Sequence, residues 1–266
     1  MSLFGFIGTG NMGGALAKAV RMRAKPDELV LHNRTAAKAE ALASELGCKS
    51  GTLAEAAACR YLFLGVKPQM MADLMDTLRP LLEGRDDFVL VSMAAGITVE
   101  QLCGLLGRNV PVLRLMPNTP VGIGKGVVLY CSNELLSDTD SALLTDALSG
   151  AGLVEPLEEG LMDVGSAVCG CSPAFTDLYL EALADGGVAC GLPRAKAIRL
   201  AAAAIAGAAE LALATGKHPG QLKDEVCSPG GSTIQGVRTL ENHGFRAAVM
   251  EAVLAAAGAS GDLGKK

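Results

Sequence analysis

The sequence predicts an α/β protein in two parts, an N-terminal doubly wound sheet followed by an all-helical second half, and two observations carry that prediction. Short apolar, β-rich runs recur through the first half and are separated by helix-length stretches. They are continuously apolar instead of alternating, as parallel strands covered on both faces are. Beyond about residue 158 strong helix formers take over and no convincing strand follows.

Taken in chain order, residues 3–7 read as the first strand and run directly into Gly8-Thr9-Gly10-Asn11-Met12-Gly13, after which 15–21 reads as a helix. The runs 29–33, 61–66, 88–92, 112–116 and 127–130 supply further strands of the parallel sheet. Ser137-Asp138-Thr139-Asp140 has the S-x-x-D pattern of a helix start, and that helix should end near Ser149, before Gly150 and Gly152. Residues 174–189 and 194–214 follow as long helices. Within the second, LAAAAIAGAAELALA (200–214) is apolar nearly all round apart from Glu210, which predicts burial against other helices on several sides. A helical domain of about 100 residues has little interior in which to hide such a helix, so a subunit interface is expected.

The 266 residues are 50% hydrophobic, enough to build one large domain or two of ordinary size. A formal charge of -5 and a pI near 5.3 exclude a nucleic-acid backbone binder, which needs clustered Lys and Arg, and point to small molecules as partners. Residues 1–17 carry no charge, but no basic segment precedes them and glycines at 5, 8, 10, 13 and 14 interrupt the run, so no export signal is expected. No other uncharged apolar stretch approaches the ~20 residues that cross a bilayer. A soluble, cytoplasmic protein with no membrane partner is expected. The eight cysteines (48, 59, 103, 131, 169, 171, 190, 227) form no C-x-x-C pair and predict reduced, mostly buried thiols. With His32, His218 and His243 dispersed, no metal site is expected.

A strand running into G-x-G-x-x-G and then a helix is the context in which that motif binds a dinucleotide. Gly8 permits the tight turn, Gly10 lets the backbone approach a pyrophosphate, and Gly13 allows close helix-to-strand packing; Thr9, Asn11 and Met12 complete the loop, and the helix N-terminus faces the anion. The second strand ends in Asn33-Arg34-Thr35, where an NAD-specific site would place a carboxylate for the ribose 2′-hydroxyl. The Arg34 guanidinium and Thr35 hydroxyl suit a 2′-phosphate, which favours NADPH and leaves NADH possible. Val66-Lys67-Pro68, Ala94-Ala95-Gly96 and the loop containing Asn118 follow later strand ends and are expected to line the ribose and nicotinamide path, with Asn118 the best polar candidate beside the nicotinamide.

The second half contains Gly170-Cys171-Ser172-Pro173-Ala174, Glu181-Ala182-Leu183-Ala184-Asp185-Gly186-Gly187-Val188, Gly191-Leu192-Pro193-Arg194 and His218-Pro219-Gly220-Gln221-Leu222-Lys223-Asp224, then Ser228-Pro229-Gly230-Gly231-Ser232-Thr233. This series closely resembles pyrroline-5-carboxylate reductase, and the resemblance extends over 4–255. It implies a Rossmann-type domain, 1–158, and a helical substrate-binding and dimerisation domain, 159–266. It also implies a homodimer with interleaved helical domains, and larger assemblies of dimers. The implied activity is the last step of proline biosynthesis, in which NAD(P)H reduces the C=N bond of 1-pyrroline-5-carboxylate to give L-proline.

The residues are compatible with that activity. A Pro-Gly-Gly turn leading into a helix over 233–241 lets backbone N–H groups and two hydroxyls converge on a carboxylate; in isolation the same residues would make an ordinary capped helix start. By resemblance, Ser228, Gly230, Gly231, Ser232 and Thr233 bind the substrate, and the Thr233 hydroxyl is placed to hydrogen-bond the ring nitrogen. Glu225, Val226, Cys227 and Ser228 match a loop that in related enzymes reaches the cofactor and substrate region. A cyclic imine is protonated readily, so Thr233 serves as an orienting donor more than as an indispensable acid. One departure stands out: relatives read G-S-G-P-A where this chain has Ser172 in place of the second glycine, which a helix-packing position tolerates and a positive φ does not.

Two other readings compete. A hydroxyacid dehydrogenase of related architecture would carry a lysine at the start of its helical domain, but no Lys or Arg occurs between Lys125 and Arg194. A non-catalytic NADP-binding sensor would combine the glycine fingerprint with a degraded substrate loop, whereas both are intact here.

Overall fold

In the computed structural model, which describes residues 2–263, the apolar runs form β1 (Phe4–Ile7), β2 (Leu29–His32), β4 (Tyr61–Leu64), β5 (Val89–Ser92), β6 (Val112–Pro117) and β7 (Gly126–Ser132). Two edge strands add to them, β3 (Lys49–Ser50) and β8 (Gly152–Pro156), giving one eight-stranded sheet in the order 3-2-1-4-5-6-7-8. The strands from β1 to β6 are parallel, and the order reverses between β1 and β4, the point at which open α/β sheets bind ligands.

The sheet is mixed, which corrects the expectation of parallel strands throughout. β7 runs antiparallel to β6, because the loop between them holds only a 3-10 turn, Thr119–Ile123, and no crossover helix to carry the chain back. β8 then pairs parallel with β7. Gly150 and Gly152, expected simply to stop a helix, do more: Gly152 has a φ of 122° and lies so close to the Gly126 carbonyl that no side chain would fit between β7 and β8.

Both sheet faces are covered, as continuous apolar strands require. Phe4, Phe6, Leu31, Phe63 and Leu115 pack on one face against α1 (Asn11–Arg21) and α6 (Asp138–Leu148). Ile7, Val30, Leu62, Leu64 and Leu90 pack on the other against α3 (Leu53–Ala57), α4 (Met71–Leu81) and α5 (Val99–Leu106). α2 (Ala36–Leu46) follows β2 and ends at Gly47. Phe6 and Phe63 stack at 4.4 Å between ring centroids.

The expected S-x-x-D start of α6 is present and has a second role. The Ser137 hydroxyl accepts from the Asp140 N–H at 3.1 Å and donates to its carboxylate at 2.7 Å. Asp140 is buried and also accepts from Tyr61 Oη at 2.8 Å and from both Nε and Nη2 of Arg60 at 3.0 and 2.8 Å. Burial pushes its carboxyl up, but hydrogen bonds from Ser137, Arg60 and Tyr61 outweigh that and hold it below the usual aspartate value.

By packing, the described residues divide into one unit, 2–171 with 256–263, and a second unit, Ser172–Ala255. Residues 159–171 go with the first unit, because the short α7 (Met162–Gly165) and the π-helical turn Ser166–Gly170 pack on the sheet unit. The buried Arg114 of β6 pairs with Glu159 at 3.0 Å, which fixes the start of that segment.

The remaining helices are α8 (Ser172–Ala189), α9 (Arg194–Thr215), α10 (Pro219–Val226), α11 (Ser232–Asn242) and α12 (Phe245–Leu263). Ser172 opens α8, and no described residue other than glycine has a positive φ, so serine needs no left-handed backbone there. The apolar α9 packs against α8 but is not enclosed as expected: of its side chains only Ala197 and Ala201 are buried, while Leu200, Leu211 and Leu213 are 53%, 51% and 80% exposed. One chain supplies too few neighbours to surround it. By length and composition α9 is also the one helix among the described residues that could cross a membrane, a stretch the charge pattern had passed over because Arg194, Lys196 and Arg199 crowd its first turns.

All eight cysteines are free, but only Cys59 and Cys103 are buried. Cys190 is exposed and the other five are half-buried, against the expectation of mostly buried thiols. Cys190 and Cys227 belong to the helical unit, which has little interior of its own. Burial pushes the Cys59 thiol up to about 11, away from reactivity.

Candidate cofactor and substrate sites

The glycine loop is built by mutual backbone contact at the switch point. Gly8 has a φ of 96°, and a Cβ on Gly13 would strike the Gly8 carbonyl oxygen, as would one on Gly65 at the end of β4. Gly65 was missed in the sequence, where it lies inside the apolar run 61–66. Gly10, by contrast, has open space where a Cβ would stand. It is the N-cap of α1, no side chain caps it, and no acidic residue occupies the first turn, so the amides of Asn11 and Met12 face an anion-attracting end.

Asn33 links this loop to the end of β2. Its Oδ1 accepts from the Thr9 N–H at 3.2 Å while its Nδ2 donates to the Thr35 carbonyl at 3.1 Å, so its side chain positions the loop. Arg34 and Thr35 are left exposed: Thr35 is the N-cap of α2 without using its hydroxyl, and Arg34 makes no hydrogen bond or ion pair among the described residues. Arg34 borders a pocket of about 530 Å³ together with His32, Glu40, Gly51, Thr52 and Glu55. The wall contributed by Gly51 and Thr52 was not foreseen, since β3 is only two residues long and exposed.

The loops after β4 and β5 start from the same sheet edge as this site. Val66 is half-buried, Lys67 exposed, and Pro68 opens a 3-10 turn; Ala94 is buried, and Ala95 and Gly96 form a turn. Asn118, expected beside the nicotinamide, is buried and largely committed to the protein. Its Oδ1 accepts from Val127 N–H at 2.8 Å and its Nδ2 donates to the Cys169 carbonyl at 2.9 Å, which leaves its amide one donor and one lone pair.

A dinucleotide fits these residues. The open cradle at Gly10, the uncapped α1 N-terminus and the unspent Arg34 and Thr35 are the groups such a ligand requires. The Thr9 hydroxyl is one of two buried side-chain polar atoms left without a partner among the described residues. Among those residues no group of three or more His, Cys, Asp or Glu side chains is placed to hold a metal.

In the helical unit, 228–231 forms a tight turn closed by the Gly231 N–H on the Ser228 carbonyl at 3.0 Å, with Gly230 at a φ of 70°. Gly231 caps α11 without a side-chain hydrogen bond, and the first turn of α11 has no acidic residue. Ser228, Gly230, Ser232 and Thr233 are exposed, and the Ser232 and Thr233 hydroxyls have no partner among the described residues. An uncapped helix N-terminus with exposed hydroxyls beside it is a setting that attracts an anion. Glu225 is instead tied to Lys217 at 2.7 Å within α10 and its approach, and that hydrogen bond holds its carboxyl below the usual range; Val226 ends α10 and Cys227 is half-buried behind it.

Comparison with known proteins places these features in one family. The family model for pyrroline-5-carboxylate reductase dimerisation matches 159–263, and that for NADP oxidoreductase, coenzyme F420-dependent, matches 3–96. Pyrroline-5-carboxylate reductase of Escherichia coli is 38% identical over 94% of this chain and 93% of its own, and that of Pisum sativum is 38% identical over 97% and 95%. Among solved structures, the Plasmodium falciparum enzyme with NADP bound is similar with a TM-score of 0.88 and 31% identity over 99% of this chain and 98% of that one. The Coxiella burnetii enzyme has a TM-score of 0.90 and 28% identity over 100% and 99%. With a glycine cradle in one unit, an uncapped α11 in the other and identity spread along nearly the whole length, the chain belongs to the pyrroline-5-carboxylate reductase family.

Proposed function

We propose that this protein reduces 1-pyrroline-5-carboxylate to L-proline with NADPH as preferred donor, as a cytoplasmic homodimer or an assembly of such dimers. The observation that carries the reading is the presence, in a chain 38% identical to the Escherichia coli reductase, of both an intact dinucleotide cradle and an uncapped α11 N-terminus with two free hydroxyls. Bound at the cradle, a reduced nicotinamide supplies hydride to the substrate's C=N carbon. Gly8, Thr9, Gly10, Asn11, Met12 and Gly13 hold the diphosphate; Arg34 and Thr35, with Asn33 positioning them, hold the 2′-phosphate; and the loops at Val66, Lys67, Pro68, Ala94, Ala95, Gly96 and Asn118 border the remaining cofactor path.

Ser228, Gly230, Gly231 and Ser232 seat the substrate carboxylate, and the Thr233 hydroxyl orients the ring nitrogen. A protonated cyclic imine accepts hydride without a strong acid, so orientation and exclusion of water suffice. No metal takes part. The α9 face is proposed to meet a second copy of the chain and not a membrane, in line with the dimerisation model that covers it.

Steady-state turnover of Thr233→Val against wild type tests the assignment. Removal of one orienting hydrogen bond should lower kcat/KM by about tenfold to a hundredfold and leave NADPH binding intact. Unchanged kcat/KM would remove Thr233 from the site.

A further inference from the structure

We propose that His32 is a proton-dependent determinant of 2′-phosphate recognition, so that the protein's preference for a 2′-phosphorylated dinucleotide strengthens as pH falls. The inference rests on reading the Arg34 pocket as the cofactor's 2′-phosphate site. His32 is the last residue of β2 and lines that pocket beside Asn33 and Arg34. Its Nδ1 lies 3.1 Å from the Gly51 carbonyl oxygen. A carbonyl only accepts, so Nδ1 carries the proton and the ring is held in one orientation. Nε2 is then the nitrogen left to accept a proton, and His32 lines the same cavity as Arg34.

The other charges around the cavity do not supply this switch. Arg34 is permanently cationic. From α3, Glu55 is held by a hydrogen bond from Lys49 of β3 and by the Thr52 backbone and hydroxyl, which push it down to about 2, so that pair is constant through neutral pH. From α2, the exposed Glu40 also borders the cavity and adds a carboxylate to its rim. His32 is the only histidine bordering the cavity.

The test measures dissociation constants of NADP+ and NAD+ between about pH 8 and pH 6 for wild type and His32→Asn, whose Nδ2 replaces the donor to Gly51. Protonation of the 2′-phosphate, with a pKa near 6, affects both proteins alike. In wild type the ratio of NAD+ to NADP+ dissociation constants should rise about threefold to tenfold more than in the variant as pH falls. Parallel profiles would overturn the inference and leave the cofactor reading standing; no NADP+ preference in wild type at any pH, with Arg34→Ala without effect, would overturn both. An independent measurement uses wild type alone: with three histidines in the chain, the His32 ring resonances can be followed by NMR. Its pKa should be higher with NADP+ bound than with NAD+, and equal values would contradict the proposal.

Discussion

Arg34 and Thr35 stand at the end of β2 with their polar groups unspent, while the neighbouring Asn33 spends both ends of its amide on Thr9 and Thr35. This division of labour separates two effects of mutation. Arg34→Ala should weaken NADPH about tenfold to a hundredfold, the value of a charge-assisted pair, and leave NADH nearly unchanged. Equal losses in both dissociation constants would remove Arg34 from the 2′-phosphate. The residues legible in the sequence were those whose backbone role follows from a local motif, Gly8 and Gly13 above all. Gly65 was not, because its need for a missing side chain arises from Gly8 and Gly13, far away in the chain, and no local pattern announces that contact. Asn118 illustrates the converse: its position after a parallel strand suggested a ligand, but its amide is largely occupied by Val127 and Cys169.

The elements that were legible are those with a strong local signature. Continuous apolar strands and the S-x-x-D start of α6 formed where expected. β3 and β8 were not visible because one is two residues long and the other is an exposed edge opened by a glycine. The orientation of β7 depended on the absence of a helix in its approach, which composition does not reveal. At this scale the Asp140 anchor joins α6 to β4 through Arg60 and Tyr61. Its folded-state carboxyl lies below the unfolded value, so its contribution is fully present above about pH 4 and is lost as pH falls through the folded value. Asp140→Asn should cost about 2 kcal/mol of stability near neutral pH, and the gap from wild type should narrow toward about pH 3, as read by denaturant unfolding at each pH. A gap independent of pH would mean that the carboxylate charge is not what holds α6.

For the molecule as a whole, the decisive surface is the one a single chain leaves open. Leu178, Leu200, Leu213, Met250 and Leu254 are each more than half exposed, far beyond the scattered apolar residues of an ordinary monomer surface. Leu200→Glu with Leu213→Glu should convert a dimer to monomers in sedimentation at micromolar protein and abolish most activity; an unchanged mass would move the interface elsewhere. The segment 159–171 is helical in pattern yet packs with the sheet unit, anchored there by Arg114 and Glu159, a long-range contact that local sequence does not reveal. The central claim, that a reduced nicotinamide gives hydride to the C=N carbon of pyrroline-5-carboxylate, is tested most directly with NADPH deuterated at the transferable position of its nicotinamide ring. Proline carrying deuterium on the former C=N carbon, formed in step with NADPH consumption, is the predicted result. Cofactor bound without turnover, or proline formed without the label, would contradict it.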